Sequence, residues 1–545
     1  MYKTYEKFSI SYKGQSGNLP PEATIPGLFF HKAEKLASKN FISCKDNNKL
    51  VSYSWQQISD NIKTYAQTLS LSGIQKNDLI AIISEHTPEH LSLILAILAS
   101  GAICCPLHNN LCAKQIDILN KTYNYRTILC SDLFYDSYLK NNISDELQNK
   151  LITFSRIIKN ASYEESFSLK KQLQFLKPDD IAYIMLSSGT TGLQKGILLT
   201  HDNILSNIRQ LSIAWPFIQE NDQLVSHLPL SHSYGGLSEL YQSIYHGASY
   251  HMHNYISLEI LVEDLIDIQP AIFHTVPRIW EKLIEHKNTL EGFCNLKAGF
   301  SAGAPLDKEV LKCFLNRGIK IYQGYGLTEA SPSIAIASPE EVLNYNKSRV
   351  LPLVDLKISE ESEILVKGPN VSAGYFNTDI EQCKCYQSGY LKTGDLGILL
   401  KDKTLRLTGR KNDIIILSTG KKILPDAIEK ELSGHPAINF AFLTGNNKSW
   451  AGCIIIPDKD YCVDLVTKYS DNCDNLNELL DNNAIIREFQ KIIDDVNISL
   501  AAHEQVKKFI LSFDSPSTEE FTPTFKLKRR VFEENRKDLI QKLYG

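Results

Sequence analysis

Apolar positions along this chain recur with two periods that alternate. From Ser54 through Ile58 to Leu71 they fall at helical spacing, and Leu79 to Ile83 is a short continuous apolar run that reads as a buried strand. Ser84-Glu85-His86-Thr87-Pro88-Glu89 opens the next helix, with Thr87 as N-cap and Pro88 at the first position. The longest apolar stretch, Leu91 to Leu107, is broken by Gly101 and closed by Pro106. That is short for a membrane span. It reads instead as a buried helix, Glu89 to Ser100, turning into a buried strand, Ala102 to Cys105. Strand followed by helix, repeated, predicts an α/β fold with mainly parallel sheets.

The same reading marks strands at Ile181 to Met185, Ile197 to Leu199, Ile319 to Ile321 and Thr404 to Thr408. A helix opens at Thr200-His201-Asp202-Asn203 and runs to about Trp215. After Arg410 comes a compact α/β module. Its helices are predicted at Pro425 to Leu432 and Ile485 to Ala501, its strands at Ile438 to Leu443 and Gly452 to Ile456. Residues 1 to about 25 are polar, with Gly14, Gly17, Pro20 and Pro21, and read as a loosely held arm. Residues 131 to 175 carry little signal. At 545 residues the chain is too long for one core. The expected division is an arm over 1–25, a large multi-lobed domain over 26–409 with helices flanking its sheets, and a small mobile C-terminal domain over 410–545.

Composition alters this picture little. With 43% hydrophobic and 22% charged residues the chain is of ordinary globular type, and a net charge of -4 gives no ground for nucleic-acid binding. Met1 to Lys7 lacks the apolar core of a signal peptide. The twelve cysteines are scattered without a Cys-x-x-Cys pair or metal-ligand spacing, so they read as reduced thiols. A cytoplasmic protein without a transmembrane segment is expected, which leaves peripheral membrane contact open.

The densest chemical signal is Leu186-Ser187-Ser188-Gly189-Thr190-Thr191-Gly192-Leu193-Gln194-Lys195-Gly196, set between two apolar runs. Glycines let backbone N–H groups approach an anion, hydroxyls donate to phosphate oxygens, and the lysine adds positive charge. It is not a Walker A loop, which needs Gly-Lys-Ser/Thr and a helix directly after. The full string resembles the phosphate loop of the adenylate-forming enzymes: acyl-CoA synthetases, firefly luciferases and peptide-synthetase adenylation domains. Further segments extend the resemblance in family order over about residues 25 to 545. They are Leu228-Pro229-Leu230-Ser231-His232-Ser233-Tyr234-Gly235-Gly236, Ser301-Ala302-Gly303-Ala304-Pro305, Tyr322-Gln323-Gly324-Tyr325-Gly326-Leu327-Thr328-Glu329, Glu363 to Pro369, Gly374-Tyr375, Gly389 to Asp395 and Gly409-Arg410-Lys411-Asn412-Asp413.

That resemblance implies a role for each matching residue. Ser187 to Gly192 and Lys195 would hold ATP phosphates, and His232 would lie beside the acyl carboxylate and the α-phosphate. The turn at Gly303 would run along the acyl group and nucleotide. Tyr325, between Gly324 and Gly326, would stack on adenine, a flat ring against a flat base. Thr328 would bond the α-phosphate, Glu329 would hold Mg²⁺ as a hard anion for a hard cation, and Asp395 and Arg410 would take the ribose. The hinge falls at Asn412, where the family usually carries aspartate or lysine, with Asp413 as fallback. Gly420 and Lys421 would present the coenzyme A side.

Two further segments resemble the long-chain fatty acyl-CoA synthetases in particular. One runs from Gln269 through Val276-Pro277-Arg278 to Lys282, where plain strand-then-helix packing explains the pattern equally. The other is Thr522-Pro523-Thr524-Phe525-Lys526-Leu527-Lys528-Arg529, which puts the family's reactive lysine at Lys526, with Lys528 as second choice.

The implied reaction has two halves. A carboxylate attacks the ATP α-phosphate to give acyl-AMP and pyrophosphate. The small domain then swings, and the coenzyme A thiol releases AMP. A medium- or long-chain fatty acid is the expected substrate, although Gly235-Gly236 replaces larger residues and the span from Trp280 to Ser301 is short. Family members that load carrier proteins tend to carry an extra insertion between the regions matching Glu329 and Asp395, and because that span is compact here the resemblance implies coenzyme A rather than an acyl carrier protein as acceptor. A non-catalytic nucleotide- or acyl-binding relative is the third reading, kept by the irregular stretch Lys347-Ser348-Arg349-Val350.

Overall fold

The structure, a computed structural model, describes residues 21–47, 49–140, 143–159, 169–187, 194–254, 257–378, 383, 385–468, 479–521 and 527–545. By internal contacts it divides into two compact units. The larger takes in Met1–Leu356, Val366–Leu391 and Lys401–Leu405, and the smaller Lys357–Leu365, Lys392–Leu400 and Arg406–Gly545. Two stretches that precede residue 409 therefore group with the C-terminal part.

The larger unit contains two sheets. One has seven strands in the order Gly374–Tyr375, Gly196–Thr200, Ile181–Leu186, Ile103–Pro106, Leu79–Ile83, Thr127–Cys130, Leu151–Thr153. From Ile181–Leu186 to the last strand the neighbours run parallel. Ile181–Leu186 and Gly196–Thr200, the strands on either side of the glycine-rich motif, form an antiparallel pair.

In the other sheet a parallel run passes from Asn40–Asp46 through Ser249–Met252, Gln223–Ser226, Ile272–Thr275 and Ala298–Ala302 to Ile321–Gly326. Ser333–Ala337 and Ser348–Val350 then add to it antiparallel. Side chains from both sheets and from helices Trp55–Leu71, Pro88–Ala99 and His201–Ala214 share one apolar core that includes Trp55, Ile94, Tyr183, Leu205 and Tyr241.

Local sequence accounts for these helices. Ser54 and Gln57 form a reciprocal capping box at the start of Trp55–Leu71. Thr87 accepts from the His90 N–H ahead of Pro88, and Thr200 and Asn203 cap His201–Ala214. Pro88–Ala99 is apolar on nearly every face because nearly every face is buried. Among the described residues no helix is long and apolar enough to cross a membrane.

Several expectations shift. The strand expected at Ile319 to Ile321 lies later, at Ile321–Gly326, because Gln323 to Gly326 pair with Ser333–Ala337. Ser348–Val350, read as irregular, is a short strand between Ser333–Ala337 and Thr404–Arg410. The weakly patterned stretch after residue 131 contributes strand Leu151–Thr153. The fully buried Ile25 begins helix Ile25–Lys35, capped by Thr24, so the end of the expected arm belongs to the fold.

The smaller unit has a three-stranded sheet ordered Ile438–Thr444, Ala451–Pro457, Val506–Leu511. Helices Pro425–Ser433 and Asn483–Asn497 pack on it through Ile428, Leu432, Leu443, Ile455 and Phe489. The fold is thus α/β with a large N-terminal part carrying mainly parallel sheets and a smaller α/β C-terminal part.

Candidate active site

Parallel strands end along one edge of a sheet, and the residues that follow those ends are where such folds place ligands. In the larger unit Gln223–Ser226 leads into His232, Ala298–Ala302 leads into Gly303, and Ile321–Gly326 leads into Thr328 and Glu329. Gly303 has φ 89°, a left-handed value that suits glycine. A Cβ on Gly326 would fall 1.8 Å from the Pro332 carbonyl oxygen, so no side chain fits. Gly324 differs, since its Cβ would meet only Ala302, at 3.4 Å. Tyr325 lies half-buried on the strand between these glycines, opposite Ala335.

His232 follows a tight turn in which its N–H donates to the Pro229 carbonyl at 3.0 Å. Its Nδ1 accepts from the Tyr234 N–H at 3.2 Å. Burial, with His108 nearby, pushes its pKa down to about 4, so the ring is neutral at physiological pH. A neutral ring accepting at Nδ1 carries its proton on Nε2, and that N–H is the group it can offer an anion. Next to it the Ser233 hydroxyl lies 3.1 Å from the Thr328 hydroxyl. Gly235 and Gly236 serve packing: a Cβ on either would drive into Leu228 at 2.8 Å or the Leu230 carbonyl oxygen at 2.0 Å.

Glu329 sits in the short helical turn Thr328–Ala330. The Tyr375 hydroxyl donates to its Oε1 at 2.9 Å, and the Ser372 N–H donates to its backbone carbonyl at 2.8 Å. Burial, together with the Glu329 charge, pushes the Tyr375 phenol well above its ordinary value, which keeps it a donor. The Lys195 ammonium stands 5.7 Å from the centre of the Tyr375 ring. Lys195 and Ser187 face each other across the paired strands, with Ser187 N–H donating to the Lys195 carbonyl at 2.9 Å and Lys195 N–H to the Ser187 hydroxyl at 3.3 Å. Ser188, Gly189, Thr190, Thr191 and Gly192 lie outside the described residues, as does Lys526. Tyr375 was not among the residues singled out for chemistry. Its motif was visible in the sequence, but its pairing with a residue 46 positions earlier was not.

The donor set suits a magnesium ion carried by a nucleotide. Mg²⁺ is usually held by one or two carboxylates plus phosphate oxygens rather than by an all-protein cage. Glu329 is one oriented carboxylate, and among the described residues no cluster of three or more His, Cys, Asp or Glu side chains forms such a cage.

In the smaller unit Asp395 is buried on strand Tyr390–Leu399, and its Oδ1 pairs with Nε of Arg410 at 3.0 Å. Arg410 ends strand Thr404–Arg410. The next residue, Lys411, pairs with Glu361 at 2.6 Å and Glu363 at 2.9 Å. Asn412, the expected hinge, lies in the helical turn Lys411–Asp413, and Gly409 shortly before it has φ 153°. Gly420 turns the hairpin between Ile415–Ile416 and Lys422–Ile423 with φ 77°, and Lys421 beside it is exposed. Phe521 and Leu527, on either side of the segment carrying Lys526, pair in an isolated bridge.

Comparison with known proteins matches residues 29–376 to the AMP-binding enzyme family and residues 412–545 to the AMP-binding enzyme C-terminal domain. The chain is 25% identical to the long-chain-fatty-acid–CoA ligase FadD15 of Mycobacterium bovis, over 90% of this chain and 92% of that one. It is 28% identical to a 2-succinylbenzoate–CoA ligase of a Geobacillus species, over 73% and 80%. Among solved structures, an anthranilate CoA ligase with anthranoyl-AMP superposes with a TM-score of 0.78 at 17% identity, covering 96% of this chain and 99% of that one. The Bacillus subtilis o-succinylbenzoate CoA synthetase with ATP and magnesium gives 0.75 at 22%, covering 92% and 98%.

Proposed function

The chain belongs to the AMP-binding enzyme family, and from that premise we propose that it is an AMP-forming acid–thiol ligase that activates a carboxylic acid as acyl-AMP and passes the acyl group to coenzyme A. One observation carries the reading. Four stretches far apart in sequence meet through His232, Ser233, Thr328, Glu329, Tyr375 and Lys195, linked by consecutive residues, the Ser233–Thr328 hydroxyl pair, the Tyr375–Glu329 hydrogen bond and the Lys195–Tyr375 approach.

In the first half-reaction a carboxylate oxygen bonds to the α-phosphorus of ATP and the bond to the bridging oxygen breaks, releasing pyrophosphate. Both partners are anions, so positive charge and positioning do most of the work. Lys195 and Lys526 supply charge, the Thr328 hydroxyl bonds the α-phosphate, and the His232 Nε2–H orients the attacking carboxylate. Tyr375 holds the Glu329 carboxylate where Mg²⁺ would bind. Bound there with the nucleotide, the ion would neutralise developing phosphate charge. Tyr325 and Gly303 border the adenine and acyl groups, and Asp395 with Arg410 takes the ribose. In the second half the thiol sulfur bonds to the acyl carbon, AMP leaves with the acyl oxygen, and the thiol proton passes to solvent. Gly420 and Lys421 serve that half, with Asn412 as the pivot.

For the acid, likeness to FadD15 across nearly the whole chain supports a fatty acid of medium or long chain. Likeness to 2-succinylbenzoate ligases keeps the class open to other carboxylic acids. The test is ATP–pyrophosphate exchange over acids from acetate to oleate, followed by AMP release with and without coenzyme A. Acid-dependent exchange with coenzyme A-stimulated AMP release is the expected result. Exchange indifferent to coenzyme A would replace that acceptor by a carrier protein, and absence of exchange with every acid would overturn the ligase.

A further inference from the structure

Helix His201–Ala214 carries Asn203, Asn207 and Gln210 at the spacing that places side chains on one helix face. Asn207 and Gln210 are fully buried, and so is Asn370, which bonds with them. A helix packed on sheets ordinarily turns an apolar stripe inward. A buried amide is costly there unless its donors and its acceptor all find partners.

These amides find them in backbone. Asn203 Nδ2 donates to the Pro369 and Val371 carbonyls at 2.8 and 2.9 Å. Asn207 Nδ2 donates to the Ser333 carbonyl at 2.8 Å and to Gln210 Oε1 at 3.1 Å, while its Oδ1 accepts from the Ser333 N–H at 3.1 Å. Asn207 thus meets Ser333 as one peptide group meets another across a sheet. Asn370 Nδ2 donates to the Ala330 and Ser333 carbonyls at 3.0 Å each. Gln210 Nε2 reaches Asn370 Oδ1 at 3.4 Å, the longest bond of the set, so Asn203, Asn207 and Asn370 do most of the holding.

What they hold flanks Glu329 on both sides. Ala330 and Ser333 follow it in the turn that enters strand Ser333–Ala337. Pro369 and Val371 lead to Ser372, whose N–H donates to the Glu329 carbonyl at 2.8 Å, and on to Tyr375, whose hydroxyl donates to the Glu329 carboxylate at 2.9 Å. The helix itself continues strand Gly196–Thr200, which pairs antiparallel with Gly374–Tyr375 and starts beside Lys195. One strand and helix therefore register the Glu329 turn, the Tyr375 strand and Lys195 against one another. Amides suit the task because they are directional and uncharged. They fix the backbone without competing with the carboxylate for a cation.

We infer that Asn203, Asn207 and Asn370 are positioning residues for Glu329: they clamp the turn after it to the segment that carries Tyr375, so that the carboxylate keeps the direction in which it would meet magnesium on the nucleotide. This rests on the proposed magnesium role of Glu329 and goes beyond it, since the amides act through Glu329 and Tyr375.

The experiment is calorimetry of ATP binding to the full chain, once with magnesium and once with a chelator, and the quantity read is the affinity gained from the metal. Asn370→Ala should keep its affinity in chelator within about twofold and lose about tenfold of the magnesium gain, the scale of one hydrogen bond to a charged group. Asn203→Ala, at the half-buried end of the same face, should move the gain in the same direction and serves if Asn370→Ala does not fold. Combined with Tyr375→Phe, Asn370→Ala should cost less than the product of the two single losses, because both act on one carboxylate. Tyr250→Phe, which deletes a buried hydroxyl bonded to Ser226 at 2.6 Å, controls for lost stability alone and should keep the whole gain. A full magnesium gain in both amide variants, or an affinity that falls by the same factor with and without the metal, would overturn the inference and leave the amides a role in stability only. A full gain in Glu329→Gln would instead sink the magnesium role of Glu329, and the inference with it.

Discussion

The Tyr375 hydroxyl donates to Oε1 of Glu329 at 2.9 Å, joining a two-residue strand to the turn that follows the central Tyr325 strand. A hydrogen bond to a carboxylate contributes about 1.5–3 kcal/mol and fixes its direction. Tyr375 is therefore a positioning residue for the proposed magnesium ligand. Tyr375→Phe should raise the magnesium concentration needed for half-maximal exchange about tenfold, with the rate recovering at saturating magnesium. A drop in rate that magnesium does not restore would show that Tyr375 acts otherwise, through packing or on the substrate.

Asp395 and Arg410 pair at 3.0 Å within the smaller unit, with the carboxylate buried and the guanidinium half-exposed. A carboxylate in that position accepts two hydroxyl hydrogen bonds, and an amide of the same shape accepts fewer. Asp395→Asn should weaken AMP binding by about 10–100-fold in calorimetry, in line with losing one or two charge-assisted bonds. Binding unchanged within error would remove the ribose role from Asp395.

How much of this was legible beforehand depends on range. Caps such as Thr87 before Pro88 and the pair Thr200 and Asn203 are written in adjacent residues, and the helices began where those residues stand. The two strands on either side of the glycine-rich motif followed from two apolar runs, although their antiparallel pairing did not. Pairings between distant stretches were not legible. Nothing near Tyr322 announces that Ser333–Ala337 will extend it as a strand, and nothing near Gly374 points to Glu329. Gly235 and Gly236 carry a packing duty that neighbouring residues do not announce: they let a turn close against Leu228 and Leu230.

Five fully or nearly buried histidines set the acid limit of the fold. Burial lowers His86 and His274 to about 3, and His90, His108 and His201 to about 4, from an ordinary 6.5. The unfolded chain binds these protons and the folded chain does not. Their contribution is thus complete above pH 6.5 and is lost as pH falls from there toward 4, at up to about 1.4 kcal/mol per pH unit for each ring. Thermal melts should show the midpoint dropping below pH 6.5, well above the range in which carboxylates titrate. A midpoint flat from pH 7 to 5 would contradict the burial of these rings.

The basic string near the C-terminus separates into residues with different duties. Arg529 is partly buried, bonds Glu429 and the Leu443 carbonyl at 2.7 Å each, and lies 4.3 Å over the Phe442 ring. Removing one member of a partly buried, hydrogen-bonded ion pair leaves the other unmatched, at about 1–3 kcal/mol. Arg529→Ala should therefore lower the stability of the smaller unit, seen as an earlier melting transition and faster proteolysis, with both half-reactions weakened together. Lys526, three residues earlier, is the proposed charge on the reacting phosphate. Lys526→Ala should leave the melting transition in place and abolish pyrophosphate exchange, while thiolysis of supplied acyl-AMP continues largely intact. The two half-reactions report different residues only if the lysine acts on the first alone. Equal loss of both in a stably folded Lys526→Ala protein would take the lysine out of its role and pass the assignment to Lys528.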